Sequence, residues 1–175
     1  MIQLGLPVED CLDRLKQCLS ERNEVVLEAP PGAGKTTLVP LALLDESWLS
    51  GKKILMLEPR RIATKSAAYR MASLINESPG QTVGYRMRLD TQVSKHTRIE
   101  VITEGILTRM LLQDPSLETV GLVIFDEFHE RNLDSDLALS LCLKGRALFR
   151  DEQSPLKILI MSATLDSQAI AQLLN

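Results

Sequence analysis

The sequence predicts an α/β fold in which a parallel β-sheet carries helices on both faces. Short and almost continuous apolar segments alternate along the chain with longer segments whose apolar residues recur at helical spacing. The short segments lack the in–out alternation of a half-exposed strand, so we expect them to be buried on both faces. At 175 residues the chain has the length of one domain.

The predicted elements alternate regularly between strand and helix. The predicted strands are 25–28, 53–57, 98–103, 120–125 and 157–161. The predicted helices are 8–21, 36–48, 61–75, 104–113, 133–149 and 166–174. Pro40 lies inside the second of these helices, where it removes one backbone hydrogen bond.

The composition indicates a domain with an aliphatic core. Apolar residues make up 45% of the chain and aromatic residues only 3%. No apolar run approaches about 18 residues, so we expect no transmembrane helix and no membrane partner. A basic start followed by an apolar stretch is also absent, so no signal peptide is predicted. Cys11, Cys18 and Cys142 form no C-x-x-C pair and are expected to be buried, reduced thiols in a cytoplasmic protein.

Positive charge is concentrated in the middle of the chain. The net charge is −3, but residues 52–98 carry ten basic residues against three acidic ones. That segment is therefore +7 and the remainder −10. A nucleic-acid backbone responds to a local basic surface rather than to the net charge. A solvated face with scattered Lys and Arg would explain the same numbers.

Residues 29–37 read A-P-P-G-A-G-K-T-T and lie between a predicted strand and a predicted helix, the context of a phosphate-binding loop. The glycines allow successive N–H groups to turn inward, towards phosphate. Lys35 is predicted to reach the β- and γ-phosphates, and the Thr36 hydroxyl to ligate Mg²⁺. The predicted nucleotide-binding residues of the loop are Ala29, Pro30, Pro31, Gly32, Ala33, Gly34, Lys35, Thr36 and Thr37. A glycine-rich turn that binds nothing is the alternative.

The second motif is acidic and follows a predicted buried strand. The sequence V-G-L-V-I-F-D-E-F-H-E-R places Asp126 and Glu127 at the carboxyl end of that strand, where open parallel sheets bind ligands. Asp126 is predicted to hold Mg²⁺, and Glu127 to deprotonate the attacking water. Taken alone, the pair could simply cap a helix. His96 and His129 are the two histidines of the sequence, too few for a zinc site.

Four more segments, in this order, resemble motifs of the DEAH-box helicases. They are L-E-P-R-R-I-A-T at 57–64 (motif Ia), T-V-G-Y-R-M-R at 82–88, T-E-G-I-L-T-R-M-L at 103–111 (motif Ib) and M-S-A-T-L-D at 161–166 (motif III). With the phosphate loop and D-E-F-H, the resemblance covers residues 24–175. The loop and the acidic box are most similar to the bacterial HrpB branch. Ala29 replaces the first glycine of the family loop, and Phe128 the alanine of D-E-A-H.

The resemblance implies that residues 1–175 form the first RecA-like, ATP-binding domain of a helicase. It implies ATP and Mg²⁺ as cofactors, ATP hydrolysis as the reaction, and single-stranded or duplex RNA as the partner, with DNA as an alternative. Family members carry a second RecA-like domain that supplies arginine fingers. That domain is expected to be a further partner, and residues 1–175 alone are expected to be nearly inactive.

The resemblance also implies roles for individual residues. The nucleic-acid backbone would be held by Arg60 and Arg61, with Thr103, Glu104 and Gly105 beside it. Arg70 would stack on the adenine, and His129 would connect the ATP site to motif III. Ser162, Ala163 and Thr164 would couple the nucleotide state to strand movement. Without the family, Arg60 and Arg61 could simply begin a helix after Pro59.

Two other functions fit the phosphate loop. A small-molecule kinase has a compatible length, but Glu127 beside Asp126 favours water as the nucleophile, and S-A-T has no place in a kinase. A nucleotide-dependent switch or scaffold would bind partners without unwinding. Stimulation of ATP hydrolysis by polynucleotides separates the helicase from both.

Overall fold

The computed structural model describes residues 4–130 and 133–163. Over these residues a seven-stranded sheet has the order β1-β7-β6-β2-β5-β3-β4. The strands are β1 (Glu24–Glu28), β2 (Lys53–Leu57), β3 (Val83–Met87), β4 (Asp90–Gln92), β5 (Ile99–Ile102), β6 (Val120–Phe125) and β7 (Lys157–Ser162).

Helices cover both faces of the sheet. They are α1 (Leu12–Glu21), α2 (Lys35–Leu43), α3 (Arg61–Leu74), α4 (Glu104–Gln113) and α5 (Leu133–Phe149). Short 3₁₀ turns are found at Pro7–Cys11, Ser47–Leu49 and Phe128–Glu130. Residues of α1, α2 and α3 pack into one apolar core and residues of α4 and α5 into another, on the opposite face. The predicted α/β fold with helices on both faces is therefore confirmed.

The sheet is parallel except for its last strand, β4. Strands β1, β7, β6, β2, β5 and β3 pair in parallel, and β4 pairs antiparallel with β3. The sequence prediction missed β3 and β4 because Gly84 and Arg86 interrupt the apolar pattern of β3. Arg86 is accommodated there because its Nε donates a 2.6 Å hydrogen bond to Glu100 on the neighbouring strand.

The second predicted helix was wrong at its carboxyl end. Helix α2 ends at Leu43 rather than at Trp48, although Pro40 lies buried within it. Beyond Leu43 the backbone changes to tighter bonds, in which Leu44 N donates to Leu41 O and Glu46 N to Leu43 O. The first predicted helix likewise begins with a 3₁₀ turn, and the last predicted helix, 166–174, lies outside the described residues.

The cysteines are all free, but they are not all buried. Cys142 on α5 is buried, and burial raises the pKa of its thiol to about 12. Cys11 and Cys18 are only half-buried, so the prediction of full burial is wrong for these two. The reason is that α1 turns Leu12, Leu15 and Leu19 towards the core, and this leaves the cysteines on its flanks. Within the described residues, no helix has the length and apolar character needed to cross a membrane.

The carboxyl ends of the parallel strands meet at one edge of the sheet. Strand β1 leads there into the phosphate loop, and β6 into Asp126. Strand β2 leads into Glu58 and β5 into Thr103, while β7 ends at Ser162. Segments far apart in the sequence are thereby brought to a common edge, which is where an open α/β sheet binds its ligands.

Candidate functional site

The phosphate loop needs glycine at Gly34. This residue has a φ of +92°, in the left-handed region, and α2 begins directly after it. A Cβ atom on Gly34 would lie 2.8 Å from Leu6 Cδ1, too close for van der Waals contact. Gly32 also has a positive φ, of +76°, but open space surrounds the position of its Cβ. The loop is further held by a 3.0 Å hydrogen bond from Val8 N to Ala33 O.

Lys35 lies across the phosphate loop. Its side chain is buried, and Nζ donates hydrogen bonds to the carbonyl oxygens of Ala29 at 2.5 Å and Pro30 at 3.1 Å. These carbonyl groups use two of the three N–H donors of the ammonium group. The predicted contact of Lys35 with the β- and γ-phosphates stays a prediction.

The loop and the acidic box are in direct contact through Thr36 and Asp126. The Thr36 hydroxyl donates a 2.5 Å hydrogen bond to Asp126 Oδ2. The other carboxylate oxygen, Oδ1, accepts from Glu127 N at 2.9 Å, and Asp126 is 4% exposed. A hydroxyl and a carboxylate side by side are oxygen ligands of the kind Mg²⁺ prefers, and Mg²⁺ retains several waters. The residues therefore fit Mg²⁺, although no group of three or more His, Cys, Asp or Glu within 4–130 and 133–163 is arranged for a metal.

Glu58 is a site residue that the sequence reasoning missed. Leu57 pairs with Phe125 across β2 and β6, so the next residues, Glu58 and Asp126, lie side by side. Glu58 is 3% exposed, and its burial, together with the Asp126 carboxylate, raises the pKa of Glu58 to about 9. The available signal was an acidic residue directly after an apolar strand, as at Asp126.

Glu127 and His129 form a pair at the end of β6. The distance from His129 Nε2 to Glu127 Oε2 is 3.2 Å, and His129 Nδ1 accepts a 3.3 Å hydrogen bond from Ala163 N. A neutral histidine that accepts at Nδ1 carries its proton on Nε2, so it donates to Glu127. Glu127 has a φ of +51°, which is unusual outside glycine and concentrates strain at this residue.

The predicted coupling segment is only partly described. Ser162 ends β7, and its carbonyl accepts a 3.1 Å hydrogen bond from Ala29 N at the start of the phosphate loop. Ala163 contacts His129 of the acidic box. The third, Thr164, lies outside the described residues. The contact to His129 agrees in position with a connection between the acidic box and motif III, and the coupling role itself stays a prediction.

A cavity of about 350 Å³ opens beside these residues. It is lined by Thr36, Thr37, Glu58, Glu127 and, from α3, Arg70. Arg70 is exposed and lines the same cavity as Thr36 and Thr37 at the start of α2. The structure thus brings Arg70 to the phosphate loop, and its contact with adenine stays a prediction.

The predicted nucleic-acid residues lie farther along the same edge. Arg60 and Arg61 are exposed at the start of α3. Thr103 precedes α4 and is half-buried, and Gly105 is exposed. Glu104 accepts a 2.6 Å hydrogen bond from the Ser135 hydroxyl. Since β2 and β5 are neighbours, with Leu57 opposite Ile102, their following segments are adjacent.

The basic segment is less free than its charge count indicated. Lys53 and Arg86 both pair with the buried Glu100, at 2.7 Å and 2.6 Å. Lys65 pairs with Asp90 at 3.0 Å. These pairs direct part of the local positive charge inward or to a neighbouring carboxylate. Asp90 is already counted in the +7, whereas Glu100 lies outside residues 52–98, so the two pairs with Glu100 make the charge available to a nucleic acid smaller than +7.

Comparison with known proteins places the chain among helicases. The family model described as DEAD/DEAH box helicase matches residues 12–173. The ATP-dependent RNA helicase HrpB of Escherichia coli strain K12 is 53% identical over 170 residues, which cover 97% of this chain and 20% of that protein. The ATP-dependent RNA helicase HrpA of Borreliella burgdorferi is 35% identical over 175 residues, covering 100% of this chain and 21% of that protein.

Solved structures agree with this result. A crystal structure of E. coli DEAH/RHA helicase HrpB superposes with a TM-score of 0.90 at 52% identity, over 96% of this chain and 21% of that one. A crystal structure of E. coli DExH-box NTPase HrpB gives a TM-score of 0.91 at 52% identity, over 99% and 21%. The resemblance seen in the sequence motifs is confirmed. The chain spans about a fifth of the length of these relatives.

Proposed function

The chain belongs to the DEAD/DEAH box helicase family, and we propose that it is the ATP-binding motor domain of an ATP-dependent RNA helicase. Residues 1–175 would be the first RecA-like domain of a longer protein, because they correspond to about a fifth of each relative. Hydrolysis of ATP in this domain would drive translocation along RNA or its unwinding. The RNA substrate is proposed from the relatives, which are named RNA helicases.

One observation carries the proposal. Thr36 at the start of α2 and Asp126 at the end of β6 are joined by a hydrogen bond, with Glu127 next in the chain. An oxygen pair for a cation, a carboxylate for a water and a loop of N–H groups for phosphate are thus within one site. Phosphoryl transfer to water depends mainly on positioning and charge, which such a site supplies.

Thr36 and Asp126 are the residues that would hold Mg²⁺. When bound, the ion neutralises charge on the β- and γ-phosphate oxygens. Lys35 would exchange its two carbonyl partners for phosphate oxygens. This exchange replaces neutral acceptors by charged ones, so it strengthens the hydrogen bonds of the ammonium group.

Glu127 would act on the attacking water. A water that donates a hydrogen bond to the Glu127 carboxylate is oriented towards the terminal phosphate. As the water attacks, it can transfer its proton to that carboxylate. His129 would hold that carboxylate through Nε2–H, and is itself held by the N–H of Ala163. His129 would thus be a positioning residue, since its contacts are with Glu127 and with Ala163, directly after β7.

RNA would lie along the edge next to the ATP site. Arg60 and Arg61 present exposed guanidinium groups suited to phosphates. Thr103 and Gly105, with Glu104 between them, would contact the neighbouring sugar-phosphate units. A contact to the backbone carries no sequence information, so the binding would be independent of base sequence.

A second RecA-like domain of the full-length protein would complete the ATP site. The cavity beside Arg70 and Glu127 is open, and the relatives contain about five times as much chain. Domain closure excludes water and adds an arginine to the phosphates, an addition worth about 10³–10⁵ in rate.

The test uses the full-length protein that contains this domain. ATP hydrolysis is measured with single-stranded RNA, with single-stranded DNA of the same sequence, and with neither; unwinding of an RNA duplex is measured in parallel. We expect RNA to stimulate hydrolysis, and the Glu127→Gln variant to bind ATP without hydrolysing it. Hydrolysis that no polynucleotide stimulates would contradict a helicase. Stimulation by DNA alone would correct the substrate.

A further inference from the structure

The functional edge of the sheet has two halves. The order β1-β7-β6-β2-β5 places the phosphate loop and Asp126 on one side. The segments after β2 and β5, which contain Arg60 and Thr103, are on the other side. The segment after β2 belongs to both regions, since Glu58 lies beside Asp126 in the ATP site and Arg60 follows two residues later. The boundary between the proposed ATP and RNA regions therefore falls at the start of this segment, next to Arg60.

An ion pair crosses this boundary between Arg60 and Glu130. The Arg60 Nη2 atom donates a short hydrogen bond to Glu130 Oε1. The Arg60 side chain is 70% exposed and that of Glu130 is 31% exposed, so both are open to solvent and to a ligand. An exposed pair of this kind is weak enough to be exchanged for another partner.

Glu130 is the member of the pair that is attached to the proposed ATP site. It ends the 3₁₀ turn Phe128–Glu130, and its N–H donates a 2.9 Å hydrogen bond to the carbonyl of Glu127. The turn also carries His129, which contacts the Glu127 carboxylate. The acceptor of Arg60 is therefore one short turn away from the proposed catalytic carboxylate.

Glu130 also belongs to the acidic surroundings of the ATP site. Its charge acts on the buried Glu58, as do the charges of Asp126 and Glu127. Among the described residues, Arg60 is the cation that pairs with Glu130. A phosphate that binds Arg60 comes close to the Glu130 carboxylate, which carries the same negative charge. Phosphate and carboxylate both offer anionic oxygen acceptors to the guanidinium group.

We propose that Glu130 competes with the RNA backbone for Arg60, so that strand binding breaks the Arg60–Glu130 pair and strand release restores it. The inference rests on the proposed function and adds a regulatory contact within that site. In the RNA-free protein Glu130 would occupy Arg60 and thereby lower the affinity for RNA. Breaking of the pair on strand binding would transmit strand occupancy to the turn that carries His129. By linkage, a nucleotide state that moves this turn changes the affinity for RNA.

The test is a double-mutant cycle in the full-length protein without nucleotide. The dissociation constant for a fluorescently labelled single-stranded RNA is measured by anisotropy at fixed salt. Glu130→Gln is expected to tighten binding about two- to fivefold, the range for an exposed ion pair. Arg60→Ala is expected to weaken binding, and Glu130→Gln is expected to have no further effect in that background.

Two controls separate this contact from general charge. In an Arg61→Ala background, Glu130→Gln should still tighten binding about two- to fivefold, because Arg60 is retained. Glu118→Gln removes an exposed carboxylate before β6, at the opposite edge of the sheet, and should leave RNA affinity unchanged. Thermal melting of each variant checks that all of them fold.

Two results would overturn the inference. Weaker RNA binding by Glu130→Gln would mean that Glu130 positions Arg60 rather than competing for it. An equal effect of Glu130→Gln with and without Arg60 would mean that the carboxylate acts through long-range charge. A wild-type protein that binds no RNA would overturn the proposed function as well, whereas RNA-stimulated hydrolysis with an additive cycle would overturn the inference alone.

Discussion

The Thr36 hydroxyl donates a 2.5 Å hydrogen bond to the Asp126 carboxylate across 90 residues of sequence. The contact depends on β7, which separates β1 from β6 and sets the distance between the phosphate loop and the acidic box. It places the two oxygen atoms proposed to bind Mg²⁺ next to Glu127. The proposed chemistry follows from this arrangement.

Removal of the Thr36 hydroxyl tests the proposed Mg²⁺ ligand. Thr36→Ala should reduce the part of the ATP affinity that depends on Mg²⁺, because it deletes one ligand and leaves the loop N–H groups in place. Thr36→Ser retains the hydroxyl and is the matched control. Binding of a fluorescent ATP analogue is titrated with Mg²⁺ and with EDTA. An equal loss in both conditions would show that Thr36 acts on the loop rather than on the ion.

Gly34 is the position of the phosphate loop where a side chain would meet both a positive φ and a close neighbour, Leu6. Gly34→Ala should destabilise the domain by about 1–3 kcal/mol, because it adds strain at positive φ and a clash with Leu6. Gly32→Ala is the matched control, since it has the strain without the clash and should cost less. The measurement is the free energy of unfolding from denaturant titration. Equal losses in the two variants would contradict the role given to Leu6.

Glu100 provides a pH-dependent contribution to stability. Burial alone raises its pKa, but hydrogen bonds from Arg86 and Lys53 outweigh burial and hold the pKa below the ordinary value of 4.5. A pKa lowered by folding means that the stabilisation is present above the unfolded-state value and is lost as the pH falls through the folded-state value. Glu100→Gln should therefore cost about 2 kcal/mol at pH 7 and progressively less below about pH 4.5. Denaturant titrations of both proteins across that range measure the difference, and a constant cost at every pH would contradict this account.

The identity of the nucleobase should have little effect on the rate of nucleotide hydrolysis. The phosphate loop is proposed to contact only phosphates, and the proposed stacking of the base on Arg70 would tolerate any base. We expect GTP, CTP and UTP to be hydrolysed by the full-length protein at rates within about tenfold of ATP, a window that corresponds to 1.4 kcal/mol. Steady-state hydrolysis of the four nucleotides under identical conditions measures this. Strict selectivity for ATP would mean that a base-specific contact exists beyond Arg70.

The sequence predicted those strands and motifs that can be recognised from a few consecutive residues. Five strands were found because each is a short apolar run, and the phosphate loop and Asp126 because each follows such a run. Strand β3 was missed because Arg86 is stabilised by Glu100, a contact that depends on the pairing of β3 with β5. Glu58 was missed for a similar reason, since its burial next to Asp126 follows from the pairing of β2 with β6.

The Arg60–Glu130 pair was also beyond the reach of the sequence. The two residues are 70 positions apart, and each lies in a motif to which a separate role had been given. Only the strand order shows that β2 and β6 are neighbours and that the turns after them meet. Contacts between motifs, rather than the motifs themselves, are what the three-dimensional structure adds here.

The most direct test compares residues 1–175 with the full-length protein in single-turnover ATP hydrolysis, with and without single-stranded RNA. We expect residues 1–175 to bind Mg²⁺–ATP but to hydrolyse it at least about 10³-fold more slowly, because the proposed second domain would supply an arginine to the phosphates. RNA should accelerate only the full-length protein. Hydrolysis by residues 1–175 at the full-length rate would show that the site is complete in one domain and would contradict the proposed two-domain helicase.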